Sequence, residues 1–228
     1  MPAPPTTPDA AITNGAHAFL TPAALRQPAG DLGPRAQRTI ARIIDATRDV
    51  FQSHGYSGTT IDEIARVAEV SRASFYTYFP SKREVLLAVG AHAASESLRV
   101  IERLPDEGTT RSGMRAWVAD YFELLDVHGS FSFAWTQAAQ EDDEIRTAGA
   151  RRHLSLCRQF GRGLAATAGR TVDQPAVLGL VASSALERSW NYGQLYVDWV
   201  DRADVVEHAA RALWGLARQP SPKAARLG

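Results

Sequence analysis

The chain carries a single cysteine, Cys157, in 228 residues, so no internal disulfide can form and a reducing compartment is implied. Cys157 follows Leu154-Ser155-Leu156 and reads as a small core residue rather than a nucleophile. No run of about 18 uncharged apolar residues occurs, which argues against a membrane-spanning helix. The first residues hold no basic stretch followed by an apolar core, so no secretory leader is expected and the expected location is the cytoplasm. Net charge is also missing: 25 Lys and Arg balance 25 Asp and Glu, and bulk electrostatics alone does not point to nucleic acid. Six histidines (His17, His54, His92, His128, His153 and His208) include no pair at i, i+4, so no metal site is implied. No Ser/His/Asp or Cys/His arrangement is readable, and Gly161-x-Gly163 follows a helix rather than a strand, so it is not a dinucleotide loop. Neither an enzyme nor a bound cofactor is expected. Period-two alternation between turn signals is absent too, which removes a sheet.

What remains is helical patterning. Residues 1–34 hold seven of the twelve prolines and no apolar periodicity, and read as a disordered arm; the alternative is an arm that follows a DNA groove through Arg26 and Arg35. From Arg38, the residues Ile40, Ile43, Ile44, Thr47, Val50 and Phe51 recur at spacings of three and four, one stripe of an amphipathic helix that ends at His54-Gly55. Thr59 or Thr60 caps a short helix to about Ala68, and a second runs from Ser71 to about Phe79. Pro80 stops it, and Ser81 with Glu84 forms a capping box for a helix that fades at Pro105. Further helices are predicted over 112–128, 131–140, 143–168 (opened by the acidic run Glu141-Asp142-Asp143-Glu144), from Asp173 with Pro175 in the first turn to about Val197, and 204–218; residues 219–228 form a frayed tail. The fold class is all-α, with a three-helix N-terminal domain over 35–83 and a larger helical domain over 84–218.

The two short helices carry the chemistry. A helix-turn-helix crosses two helices tightly, so it needs a very small residue in the first, here Ala65, with apolar neighbours Ile64, Ala68, Val70, Phe75 and Tyr78. The outward positions Asp62, Glu63, Arg66, Ser71, Arg72, Ser74 and Thr77 stay polar. Eight positive against five negative residues between Arg35 and Arg83 give this stretch a modest basic excess compatible with phosphate contact. A recognition helix meets the major groove with its N-terminal residues: Ser71, Arg72, Ala73 and Ser74. Arg72 suits bidentate contact with guanine O6 and N7, and Ala73 suits a thymine methyl. The hydroxyls of Ser71, Ser74, Tyr76 and Tyr78 suit phosphate oxygens, and Thr60 lies at a helix N-terminus where free N–H groups favour phosphate. Against these stand plainer roles: Tyr78 as packing, Ser71 as a cap, Arg72 as the partner of Glu69 or another exposed acid.

The string from Thr59 to Lys82, with Thr60-Ile61-Asp62-Glu63-Ile64-Ala65, Ala68-Glu69-Val70-Ser71, the aromatics Phe75, Tyr76 and Tyr78, and Phe79-Pro80-Ser81-Lys82, resembles the signature of the tetracycline-repressor-like (TetR) family. The resemblance covers about fifty residues, 38–87. It departs at Glu69, where the family has glycine; a side chain forced to positive φ there costs about 1 kcal/mol. The resemblance implies a backbone contact for Lys82, a dimer built as a four-helix bundle from the last two long helices, and a ligand pocket in the C-terminal part.

A dimer also follows from the reading of DNA, because one recognition helix reads half of a palindromic site. The last two helices offer Val177, Leu180, Val181, Ala185, Leu186, Val205, Val206, Ala209, Leu213 and Trp214 as the interface. Trp117, Tyr121, Trp135, Trp190 and Asn191, with Tyr192 and Tyr196, are the candidate pocket residues, pointing to an apolar or aromatic effector. The expected partners are therefore an operator duplex, a second copy of the chain and a small molecule. The expected function is a ligand-responsive regulator, a repressor released by its effector. The alternatives are an activator or a ligand-independent regulator; a helical enzyme or lipid-binding module would need acid–base or metal groups that the C-terminal half does not offer.

Overall fold

The structure, a computed structural model, describes residues 33–219, with every side chain in that range except that of Ser130. The predicted N-terminal arm, but for Gly33 and Pro34, and the tail from 220 onward lie outside the described residues. Eight helices and no strand occur among the described residues. Helix α1 (Pro34–Gly58) opens with proline in its first turn, where a missing N–H costs nothing. It buries the stripe Ile40, Ile43, Ile44, Thr47, Val50 and Phe51. Gly55, at φ 66, leaves the helical path where the sequence places its end, and one further turn follows to Gly58.

Three short connections each rest on a hydroxyl cap. Thr60 accepts from the Glu63 N–H at the start of α2 (Ile61–Val67), Ser71 from Ser74 at the start of α3 (Arg72–Tyr78), and Ser81 from Glu84 at the start of α4 (Lys82–Glu107). Each such cap is worth about 1 kcal/mol. Ile43, Ile64, Ala65, Phe75, Phe79 and Val85 meet in one core that holds α1 to the start of α4. Full burial of a residue such as Phe75 stabilises by about 1.5–3 kcal/mol.

The second half is built by α5 (Arg111–Glu141), α6 (Asp143–Ala166), α7 (Pro175–Leu195) and α8 (Arg202–Arg218), which share a core with the C-terminal end of α4 around Leu104, Trp117, Phe122, Phe160, Leu186 and Leu213. A third cluster, Phe51, Leu86, Ala134, Ala138 and Ile145, ties α1 and α4 to α5 and α6.

Four boundaries differ from the expectation. Helix α5 is one helix, not two: Gly129 does not break it, because the space its Cβ would fill is occupied by the Trp190 ring, and Phe131, Ala134 and Ala138 continue the inward face. Helix α4 runs through Pro105 to Glu107; the proline sits in the last turn, and the Gly108 N–H bonds the Leu104 carbonyl at 2.8 Å beyond it. The cap of α7 is Gln174, which makes no side-chain capping bond, rather than Asp173. Helix α8 starts two residues early because Asp201 caps it through the Ala203 N–H.

Candidate DNA-reading surface and effector cavity

Helices α2 and α3 cross at Ala65, which is buried, and the turn between them closes with the Val70 N–H on the Ala65 carbonyl at 2.9 Å. Glu69 stands at φ 52, the strained conformation that its position implies. The strain is held by a residue the sequence reading did not single out for this turn. Arg42 on α1 donates to the carbonyls of Ala68 (2.5 and 3.1 Å) and Glu69 (2.7 Å), and so satisfies the open end of α2.

The exposed tip of α3 presents Ser71, Arg72, Ala73 and Tyr76, with Ser74 half-buried. Arg72 bonds an Asp62 carboxylate oxygen and donates to the Tyr76 hydroxyl at 3.3 Å, lying over that ring. Its exposed acidic partner is Asp62, not Glu69. The hydroxyls of Thr60 and Ser71 spend an acceptor lone pair on their caps but keep their protons for a phosphate. Tyr78 is half-buried against the N-terminal core. Lys82 is half-buried as well: Nζ donates to the carbonyls of Tyr56 (2.7 Å) and Thr59 (3.0 Å) over the Tyr56 ring, and burial lowers its pKa. The structure thus gives it a local task, bracing the turn before α2, that its sequence position did not reveal.

A cavity of about 550 Å³ opens between α4, α5, α6 and α7. Tyr121, Trp135, Trp190 and Asn191 line it, as the sequence suggests, together with Phe131 and Leu125. Trp117 does not. It is fully buried in the core, with Nε1 donating to the Val100 carbonyl at 2.8 Å and its ring stacked on Tyr121. Nor do Tyr192 and Tyr196, which stack on each other at the surface. Trp190 is fixed by a 2.7 Å bond from Nε1 to Asp126. Burial opposes ionisation of Asp126, but hydrogen bonds from Arg202, Trp190 and Gln194 outweigh it and hold that carboxyl below its usual range. A larger cleft of about 910 Å³ lies between α1, α4 and α5; Ile40, Ile44, Leu124 and Val127 line it together with six charged residues, Asp45, Arg48, Glu96, Arg103, Asp120 and Glu123, and among the described residues it has no Trp, Tyr or Phe to hold an aromatic ligand.

The last two helices divide the expected interface. Leu186, Val206 and Leu213 are buried in the chain's own core, and Val205, Ala209 and Trp214 pack against it. The exposed large apolar and aromatic residues are Val177, Leu180, Val181, Tyr192 and Leu195 on α7, and then Tyr196, Val197, Trp199 and Val200 before α8, with Trp199 80% exposed. Periodicity marks both faces of a helix buried on one side and docked on the other as apolar, and does not tell which is which.

Residues 43–89 match the family model of bacterial regulatory proteins, tetR family. The HTH-type transcriptional regulator SrpR of Pseudomonas putida is 32% identical over 197 residues, which covers 81% of this chain and 88% of that one. The chain belongs to the TetR family of transcriptional regulators. Its fold is shared by a TetR-family protein of Mesorhizobium loti (TM-score 0.62, 19% identity, 81% of this chain and 97% of that one). The TetR-like transcriptional regulator LfrR of Mycobacterium smegmatis, solved in complex with proflavine, also shares it (TM-score 0.59, 20% identity, 79% and 96%).

Within this TetR-family regulator, two contacts tie the helix that lines the cavity to the end of α1, next to the helix-turn-helix. Gln137 and Glu141, at the end of α5, reach the turn that follows Gly55: Gln137 Oε1 accepts from the Tyr56 N–H at 2.7 Å, and the Ser57 hydroxyl donates to Glu141 at 3.0 Å. Phe131 and Trp135, six and two residues before Gln137 on the same helix, line the cavity. No helix in the described residues is long and apolar enough to cross a membrane.

Proposed function

We propose that this chain is a cytoplasmic homodimeric repressor that binds a palindromic operator and is released by a small aromatic effector. In this reading residues 35–83 are the DNA-binding domain and residues 84–218 the effector and dimerisation domain. Arg72 reads a base edge, Ala73 touches a thymine methyl, and Thr60, Ser71, Ser74, Tyr76, Tyr78 and Lys82 position the duplex through its backbone. The effector enters the cavity between Tyr121, Trp135, Trp190 and Asn191. Two copies pair through α7 and α8, which leaves two recognition helices to meet successive major grooves.

The observation that carries this reading is that α5 lines the cavity with Phe131 and Trp135 and, with Gln137 and Glu141, holds the last turn of α1, which leads into α2. An effector that favours one placement of α5 thereby favours one placement of α2 and α3, and lowers operator affinity by as much as it discriminates between the two states. That a fold neighbour holds proflavine supports an aromatic occupant. The test is binding of the purified chain to the DNA upstream of its own gene, with and without a small-molecule extract of the cell. Tight binding that the extract relieves is expected. Binding insensitive to any fraction removes the sensor, and no binding removes the regulator.

A further inference from the structure

The cavity wall is largely apolar and aromatic, with His128, Arg146, Arg152, His153, Glu187 and Arg188 as its His, Arg and Glu residues; of these, Glu187 and Arg152 carry opposite charges and form no ion pair among the described residues. Glu187, in the middle of α7, lines the cavity and forms no hydrogen bond or ion pair among the described residues. Burial pushes its carboxyl up, and the charge of the neighbouring Arg188, which also lines the cavity and lies over the exposed Tyr192 ring, opposes this without forming an ion pair. Arg152, on α6, also lines the cavity. Its guanidinium reaches the Ala91 carbonyl of α4 at 3.4 Å, the outer limit of a hydrogen bond, and its buried Nε has no partner. By contrast Arg146, at the same wall, is paired with Asp143 at 2.8 Å.

The two groups do not pair with each other. Arg152 is turned to α4, while Glu187 faces Tyr121 of α5 and Cys157 further along α6, whose protons its charge helps to retain. His128, on α5, adds a buried Nδ1 without a partner to the same wall. A buried charge without a partner is costly, and a ligand that supplies the missing charge removes the cost. A neutral aromatic ligand would leave both groups drier and still unpaired. A ligand with one charge would repair one of them.

Resting on the reading of this cavity as the effector site, we propose that the effector is amphoteric: a rigid aromatic molecule with an amine cation held at Glu187 and an acidic group held at Arg152. Its rings lie between Phe131, Trp135 and Trp190. The two charged ends set selectivity, while the aromatic walls supply bulk affinity.

The test uses four probes and isothermal titration calorimetry on the full chain. Norfloxacin is an aromatic zwitterion; its ethyl ester keeps only the cation, and its N-acetyl derivative keeps only the anion. N-phenyl-1-naphthylamine is neutral and reports the apolar cavity. The wild type binds norfloxacin roughly ten-fold more tightly than either singly charged derivative. Glu187→Gln brings norfloxacin and the N-acetyl derivative to within about two-fold of each other, and Arg152→Met does the same for norfloxacin and the ester. Retained naphthylamine binding shows that each variant is folded with its cavity intact; if either variant loses it, Glu187→Ser or Arg152→Gln replaces that variant under the same criteria. Equal binding of the three quinolones by the wild type, a preference for a singly charged one, or a variant that keeps its full preference overturns the proposal. A chain that binds the naphthylamine but shows no charge preference overturns this inference alone; one that binds none of the four overturns the cavity reading beneath it.

Discussion

Arg72, proposed to read a base edge, already has a protein partner, which a DNA contact would have to displace. Its pair with Asp62 is exposed on both sides, so solvent screens it and it contributes little. A bidentate contact with guanine is worth about 1–3 kcal/mol of discrimination, so the exchange favours DNA. Arg72→Ala is expected to cost about 1–3 kcal/mol in operator affinity and to relax base preference at one position in each half-site, read from a library randomised at single positions. Lys82 differs, because two of its three donors already brace the carbonyls of Tyr56 and Thr59. Lys82→Ala should lower stability by about 1–3 kcal/mol in the DNA-free protein. It should also reduce the salt slope of operator binding by about one, through the remaining donor; an unchanged slope would confine Lys82 to bracing the turn. His128 sets a pH limit. Burial first, then the charges of Arg48 and His92, lower its pKa from 6.5 to about 4, against the weaker pull of Glu96 and Asp45. The unfolded chain takes up this proton near pH 6.5 and the folded chain only near 4, so stability is complete above that window and falls as pH drops through it. At about pH 5 the loss is about 2 kcal/mol. Urea unfolding at about pH 7.5 and 5 should show this drop in the wild type and a smaller one in His128→Asn.

At the scale of elements, the crossing of α6 and α7 has no side chain between its backbones. A Cβ at Gly161 would run into the Pro175 carbonyl, and one at Gly179 into the Cys157 carbonyl, so the two helices meet backbone to backbone. No side chain can turn aside to make space. Gly179→Ala is expected to cost about 3 kcal/mol or more, the upper range for overpacking, seen as a lowered thermal midpoint with the helical content retained. The sequence revealed the elements that depend on local chemistry. Thr60, Ser71 and Ser81 cap where a hydroxyl must, Gly55 turns where a left-handed residue is needed, and Ala65 is small where two helices cross. The elements that depend on distant partners stayed hidden. Gly129 is a breaker by its own preference, but the Trp190 ring, which arrives from more than sixty residues away, makes it a packing glycine inside one long helix. The same holds in the site: Tyr121, Trp135, Trp190 and Asn191 are aromatic or polar on apolar helices, and so is Trp117, yet only the three-dimensional packing puts Trp117 against Val100 and leaves the others on the cavity wall. Arg42, Gln137 and Glu187 carry no local signal, since each acts on a residue tens of positions away or on a ligand.

For the whole molecule, the apolar surface that remains exposed is the strongest statement about assembly. Val177 and Val181 lie one turn apart on α7 with Leu180 beside them, and are 52% and 53% exposed; Leu195, the last residue of α7, and Val197 and Trp199 beyond it are 62%, 69% and 80% exposed. An exposed apolar patch such as that of Val177, Leu180 and Val181 marks an interface. In a two-fold dimer the patch meets its own copy, so a charge placed near the axis appears twice, buried and facing its like. Val181→Glu is therefore expected to hold the chain as a monomer of 24.8 kDa, against a dimer of about 50 kDa for the wild type, in light scattering. Because Val181 contributes little to the chain's own core, the melting of a folded monomer should survive, which separates lost assembly from lost folding. Operator binding should then fall to that of a half-site, since one recognition helix remains where two acted together. A Val181→Glu variant that stays dimeric and binds the full operator as before would move the interface away from α7, and with it the geometry by which an effector is proposed to change the spacing of the two recognition helices.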